Sequence, residues 1–185
     1  MGAIGNKPIK FRSMESFDEP EMLVDLDSVR NKAIEEGYVN GNRLDVERFI
    51  KEKYPDILIK REALAPDISG KLKNESGVWV MTINSQHPSV RQRYTLGHEL
   101  GHYLNHRDSI KSFEDSTFFR SSQKSSLEYV ADQFAARLLM PESDVNALIK
   151  SGVKTVKEMA SKFDVSLEAM KYRLEQLGYS IRKVE

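Results

Sequence analysis

Three of the four histidines in the chain, His98, His102 and His106, fall within nine residues on a stretch whose apolar and small side chains recur at helical spacing. Val90, Leu96, Gly97, Leu100 and Leu104 give the segment from Ser89 to Asn105 the pattern of a buried helix. Such a helix carries imidazoles into an interior where polar groups need partners. A chain of 185 residues is long enough for this, since it can bury roughly 70% of its unfolded surface. No cysteine is present, so disulfides, thiolate metal sites and cysteine nucleophiles are excluded together. Any metal ion must be held by His, Asp or Glu.

Around this segment the hydrophobic period changes twice. Asp18-Glu19-Pro20-Glu21 supplies a cap, an early proline and first-turn acids before an apolar-periodic helix running to Glu36, which Gly37 ends. A second helix is expected from Leu44 to about Lys53, closed by Pro55. From Ile57 the period falls toward two, giving three short strands: Ile57 to Leu64, Ile68 to Lys73 and Val78 to Asn84. They read as a meander with antiparallel neighbours. A serine-rich loop from Ser109 to Ser126 follows the histidine helix. The next helix, Ser126 to Met140, carries an apolar stripe of Leu127, Val130, Ala131, Phe134, Ala135 and Leu138 and stops at Pro141. Thr155 and Glu158 form a capping box for a short helix ending near Phe163, and Ser166 caps a last helix that Gly178 terminates.

His98-Glu99-Leu100-Gly101-His102 is an H-E-x-x-H sequence, and the helical repeat sets its two imidazoles one turn apart on one face, where both can bind one zinc ion. Glu99 then lies beside the metal rather than on it. A catalytic zinc site uses three protein ligands and leaves a fourth position for water. His106 does not supply the third, because eight residues of straight helix put it about 12 Å from His98. A Gly six residues after the Glu and a His three residues later would mark another class, but Asn105 and Asp108 stand there. Glu128 is the better candidate: on a helical wheel it falls between Ala135 and Leu139, inside the buried arc. A buried carboxylate needs a cation, a metal or a proton, so the alternative partner for Glu128 is an arginine such as Arg91 or Arg93. Asp132, four residues on, could accept the N–H of a ligating histidine, with an exposed i+4 pairing as its alternative.

Arg91-Gln-Arg-Tyr-Thr-Leu-Gly-His-Glu-Leu-Gly-His-Tyr-Leu-Asn-His106, followed by Glu128-Tyr-Val-Ala-Asp-Gln-Phe-Ala-Ala-Arg-Leu-Leu-Met-Pro141, resembles the two signature blocks of the ImmA/IrrE family of metallopeptidases. Ser69-Gly70 and the strand Val78 to Asn84 are similar to the strands that lead into the motif in that family. The resemblance covers about Ile57 to Pro141, departing at Gly97, where Ala is common. It implies an α+β, zincin-like core with a small, mostly antiparallel three-stranded sheet and an active-site helix. It also implies His98, His102 and Glu128 as zinc ligands, Glu99 as catalytic base, and a protein substrate, a helix-turn-helix transcriptional repressor. Tyr94, His106, Arg120 and Tyr129 are donors of a type that could stabilise an oxyanion, and Val78 to Asn84 could bind substrate backbone by strand addition.

Residues 151–185 are spaced like a helix-turn-helix and are expected to form an extension to the metallopeptidase domain, residues 1–150, that the resemblance implies. A DNA-reading face normally shows a clear basic footprint. This segment has seven basic residues against five acidic ones, and the whole chain balances 28 against 28. Packing or partner docking is therefore expected rather than direct nucleic-acid binding. No window approaches the roughly 18 apolar residues of a membrane span and the start lacks a signal-peptide pattern, which gives a cytoplasmic expectation. The rival readings are a DNA-binding regulator with a structural zinc site and a toxin–antitoxin or immunity interaction protein with an inert one.

Overall fold

A computed structural model describes residues 2–5, 22–108, 112–115 and 126–183. In chain order these form β1 (Gly2–Ile4), α1 (Leu26–Glu35), β2 (Val39–Asn40), β3 (Arg43–Leu44), α2 (Val46–Lys53), β4 (Ile57–Glu62), β5 (Gly70–Glu75), β6 (Val78–Asn84), α3 (Ser89–His106), β7 (Ser112–Asp115), α4 (Ser126–Leu139), α5 (Glu142–Lys150), α6 (Val156–Phe163), α7 (Leu167–Gln176) and β8 (Ile181–Lys183). The class is mixed α+β, as expected, and most strand pairings are antiparallel.

The main sheet has the order β4-β6-β5-β7. Three of these are the expected strands. The fourth, β7, lies within the stretch read as a loop; it pairs antiparallel with β5 from Ser112↔Lys73 to Asp115↔Gly70. Residues 109–111 and 116–125 of that stretch lie outside the described residues. The meander is also corrected, because β4 and β6 run parallel, from Ile57↔Trp79 to Glu62↔Asn84. Composition explains the order. Val78-Trp-Val-Met-Thr-Ile-Asn is apolar on both faces and takes an interior position, whereas Lys60-Arg-Glu62 tolerates an edge. With both edges of β6 occupied, strand addition to Val78–Asn84 is ruled out.

Other boundaries shift for local reasons. Helix α1 begins at Leu26 because the Asp25 carboxylate accepts the N–H groups of Asp27 and Ser28, at 3.1 and 3.3 Å. The expected start at Asp18 lies outside the described residues. Helix α2 begins at Val46 rather than Leu44, with Asp45 capping Arg48 N–H. Helix α5 was not anticipated, although Pro141 followed by Glu142 and Asp144 is a fair start signal.

One face of the sheet carries Leu72, Trp79, Met81 and Ile83 into the core against α3, and α4 covers the other side of that helix. The seam between α3 and α4 is made of small residues. A methyl on Gly97 would meet Ala135 Cβ at 3.5 Å, and one on Gly101 would meet Ala131 Cα at 3.1 Å. The two backbones therefore approach closely along one turn after another. Phe163, Met170 and Leu174 bring α6 and α7 into the same buried cluster. Arg93, buried on α3, donates to the carbonyls of Leu44, Phe163 and Asp164. Thr155 caps α6 and Ser166 caps α7, as read from the sequence. Among the described residues no helix is long and apolar enough to cross a membrane.

Candidate metal centre

Helix α3 presents His98 and His102 on the face that meets α4, with ring centroids 4.7 Å apart. The seam of Gly97, Gly101, Ala131 and Ala135 brings the first turn of α4, and with it Glu128, against them. The Glu128 carboxylate offers one oxygen to each ring: Oε2 lies 3.2 Å from His98 Nε2, and Oε1 lies 3.2 Å from His102 Nε2. The two Nε2 atoms are 3.0 Å apart. Both histidines are fully buried and Glu128 is half-buried.

The Asp132 carboxylate, itself buried, accepts the Nδ1–H of His98 at 3.0 Å. That tautomer leaves a lone pair on His98 Nε2, pointing toward a second imidazole nitrogen and a carboxylate. Three electron-pair donors thus face one another inside the protein, an arrangement a cation relieves. Donors bonded tetrahedrally to zinc at 2.0–2.1 Å would be separated by roughly 3.3 Å, close to the observed 3.0–3.2 Å spacings. The residues fit such an ion. His98, His102 and Glu128 together form a possible metal site.

Protonation follows from the same geometry. Burial lowers the His102 imidazole to about 4, so it is neutral at pH 7 and free to donate its lone pair. Burial pushes the Glu128 carboxyl up, but the two imidazoles that face it, His102 and His98, outweigh this and hold it well below the ordinary carboxylate range. His106 is also lowered by burial; its ring lies 5.8 Å from that of His102 and is hydrogen-bonded to the Leu127 backbone, bracing the start of α4.

Glu99 is completely buried, one residue from His98 and on the sheet side of α3. The arginines considered as partners for Glu128 are engaged elsewhere: Arg91 donates to Ser69 Oγ at 2.9 Å, and Arg93 to backbone carbonyls. Among the possible oxyanion donors, Tyr94 is buried with its hydroxyl donating to the Asp132 carbonyl, Tyr129 is half-buried, and Arg120 lies outside the described residues. The sequence reading missed what Gly70 does, although an isolated glycine in a strand is a signal of close backbone approach. It sits directly against the Glu99 carboxylate.

No curated protein sequence matches the chain. Among solved structures, a Mycobacterium tuberculosis transcriptional regulator superposes with a TM-score of 0.59 at 17% identity, covering 86% of this chain and 49% of that one. This chain therefore spans about half the regulator's length, and the likeness shows the fold. Residues 52–175 match the Peptidase M78 family, described as an IrrE N-terminal-like domain, and the chain belongs to that family.

Proposed function

We propose that the chain is a zinc-dependent endopeptidase that hydrolyses a peptide bond in a protein substrate, a helix-turn-helix transcriptional repressor. Family membership and the His-His-Glu cluster support a metallopeptidase. The single observation that carries the reading is the convergence of His98 Nε2, His102 Nε2 and Glu128 within 3.2 Å of one another, with the buried Glu99 following His98 in the chain. His98, His102 and Glu128 would hold a zinc ion there, which would supply Lewis acidity and lower the pKa of water toward about 7.

The chain's own groups do the rest. Glu99 takes the proton from the attacking water and passes it to the leaving amine. Asp132 fixes the His98 ring and its tautomer through Nδ1. The identity of the substrate rests on the resemblance to the ImmA/IrrE family. A cytoplasmic setting, and a docking role for residues 151–185 beside a peptidase unit of residues 1–150, belong to the same reading.

Two measurements test it together. Stoichiometric zinc in the wild type, and its loss in Glu128→Ala, is the expected metal analysis. Glu99→Gln is expected to keep zinc and lose cleavage by 100-fold or more, the usual scale of general acid–base catalysis. Undiminished cleavage by Glu99→Gln would overturn the mechanism.

A further inference from the structure

Gly70 opens β5, where it pairs with Ile83 of β6 on one side and Asp115 of β7 on the other. Strands on both sides hold its backbone in place. The preceding residue is held as well: Ser69 O accepts Asn84 N–H at 2.9 Å, and Ser69 Oγ accepts from Arg91 on α3. Arg91 and Thr95 lie one turn apart on α3, and Thr95 Oγ1 donates to the Arg91 carbonyl at 3.0 Å. The helix and the strand are thus tied together next to Gly70.

A Cβ on residue 70 would lie 2.6 Å from Glu99 Oε1, 2.6 Å from Thr95 Cγ2 and 3.2 Å from the Thr82 carbonyl oxygen. Atoms do not approach so closely without displacement. The Thr82 carbonyl belongs to the interior strand and cannot yield. Thr95 is β-branched, so its rotation at χ1 is restricted and would break its bond to Arg91. The Glu99 carboxylate is the one neighbour on a flexible stem. No positive φ requires a glycine here; what requires it is the space that the Glu99 carboxylate and the Thr95 methyl fill.

We infer that Gly70 is a positioning residue for Glu99: its bare backbone forms the slot that seats the carboxylate against the sheet, so that any side chain at residue 70 drives Glu99 out of place while leaving the metal ligands untouched. This rests on the reading of Glu99 as the general base. His98, His102 and Glu128 lie on α3 and α4, and none of them is among the atoms a Cβ on residue 70 would strike. A displacement of about 1 Å in a reacting group can cost on the order of 100-fold in rate.

The first test needs no substrate. Thermal midpoints of the zinc-loaded wild type, Gly70→Ala, Glu99→Ala and the double variant form a cycle that isolates the contact. Gly70→Ala is expected to lower the midpoint by about 4–8 °C in the wild-type background, the scale of an overpacked core in a chain of this size. In the Glu99→Ala background, where the carboxylate is gone, the drop should be less than half as large. Equal drops in both backgrounds would show that the carboxylate does not fill the slot and would overturn the inference.

The second test separates positioning from damage to the fold. It uses a fluorescence-quenched peptide selected from a random library by wild-type cleavage. Gly70→Ala should retain stoichiometric zinc and lose about 100-fold in kcat with KM within about twofold. Gly70→Ala/Thr95→Ser removes the Thr95 methyl but not the contact with the carboxylate, so it should recover only the smaller part of the thermal stability and none of the kcat. Recovery of kcat together with stability would mean that the loss was structural, against the inference. Failure of the proposed function has a different signature, full cleavage by Glu99→Gln, which leaves the stability cycle unaffected.

Discussion

The Arg93 guanidinium donates to the Phe163 carbonyl at 2.8 Å and so fastens the helix that carries both site histidines to the C-terminal end of α6. It also bonds the Asp164 carbonyl at 2.7 Å and the Leu44 carbonyl at 2.6 Å. Three carbonyls from two distant parts of the chain depend on one buried cation. Replacing it with methionine keeps much of the apolar stem but strands those acceptors. The expected cost is about 2–4 kcal/mol in urea unfolding, the scale for losing buried charged hydrogen bonds. Amides of α6 and α7 should exchange faster in the same variant. Unchanged exchange there would show that the bonds do not hold the C-terminal helices.

Gly97 and Gly101 sit one turn apart on α3 and should respond oppositely to alanine. At Gly97 the new methyl meets Ala135 Cβ and Leu139 Cδ1 at 3.5 Å, ordinary contact, so Gly97→Ala should stabilise by about 0.5–1 kcal/mol through lower backbone entropy in the unfolded state. At Gly101 it meets Ala131 Cα and Phe134 Cβ at 3.1 Å and the Ala131 carbonyl oxygen at 3.2 Å. The backbone of α4 must retreat, at a cost of about 1–3 kcal/mol. Chemical denaturation of both variants checks the signs.

Asp132→Asn tests how the site is held open for a metal. The amide cannot replace the carboxylate as a charged acceptor for the His98 Nδ1–H, which it meets at 3.0 Å. Zinc affinity, measured by competition with a chromophoric chelator, should fall about 10- to 100-fold with the fold retained. An unchanged affinity would remove Asp132 from the site.

The metal-free protein should lose stability in mild acid. Burial depresses His102 from 6.5 to about 4, so between those values the unfolded chain binds a proton that the folded one refuses. The stability is intact above pH 6.5, declines as pH falls, and the loss levels off near pH 4 at about 3 kcal/mol. Glu128 is depressed below its ordinary 4.5, so a second loss begins as pH falls through that value. His102→Gln should flatten the decline between pH 6.5 and 4 in denaturation curves of the metal-free protein. A decline of the same size in that variant would assign it to another group.

Much of the candidate site was legible because it rests on helical periodicity. The repeat alone puts His98 and His102 on one face and Glu128 in the buried arc of α4, and a buried carboxylate demands a partner. Thr155 and Ser166 announced their helices through local hydrogen bonds that need no tertiary context. The sheet was less readable. Whether β4 joins β6 or β5 depends on competition for an interior position, which no window of sequence contains. The four residues of β7 are too few to show alternation, and their pairing is decided by the free edge of β5. Gly70 was visible as a letter, but its role depends on a side chain 29 positions away.

The narrow seam between α3 and α4 would make a metal ion bound there a cross-link. The donors sit on separate helices, so an ion bound by all three can be held only while α4 is docked, and binding free energy becomes docking free energy. Anything that widens the seam weakens the ion's grip, and anything that tightens the grip closes the seam. Chelation should therefore loosen α4 before the rest of the chain, and the metal's residence time would act as a clock for how long that helix stays in place.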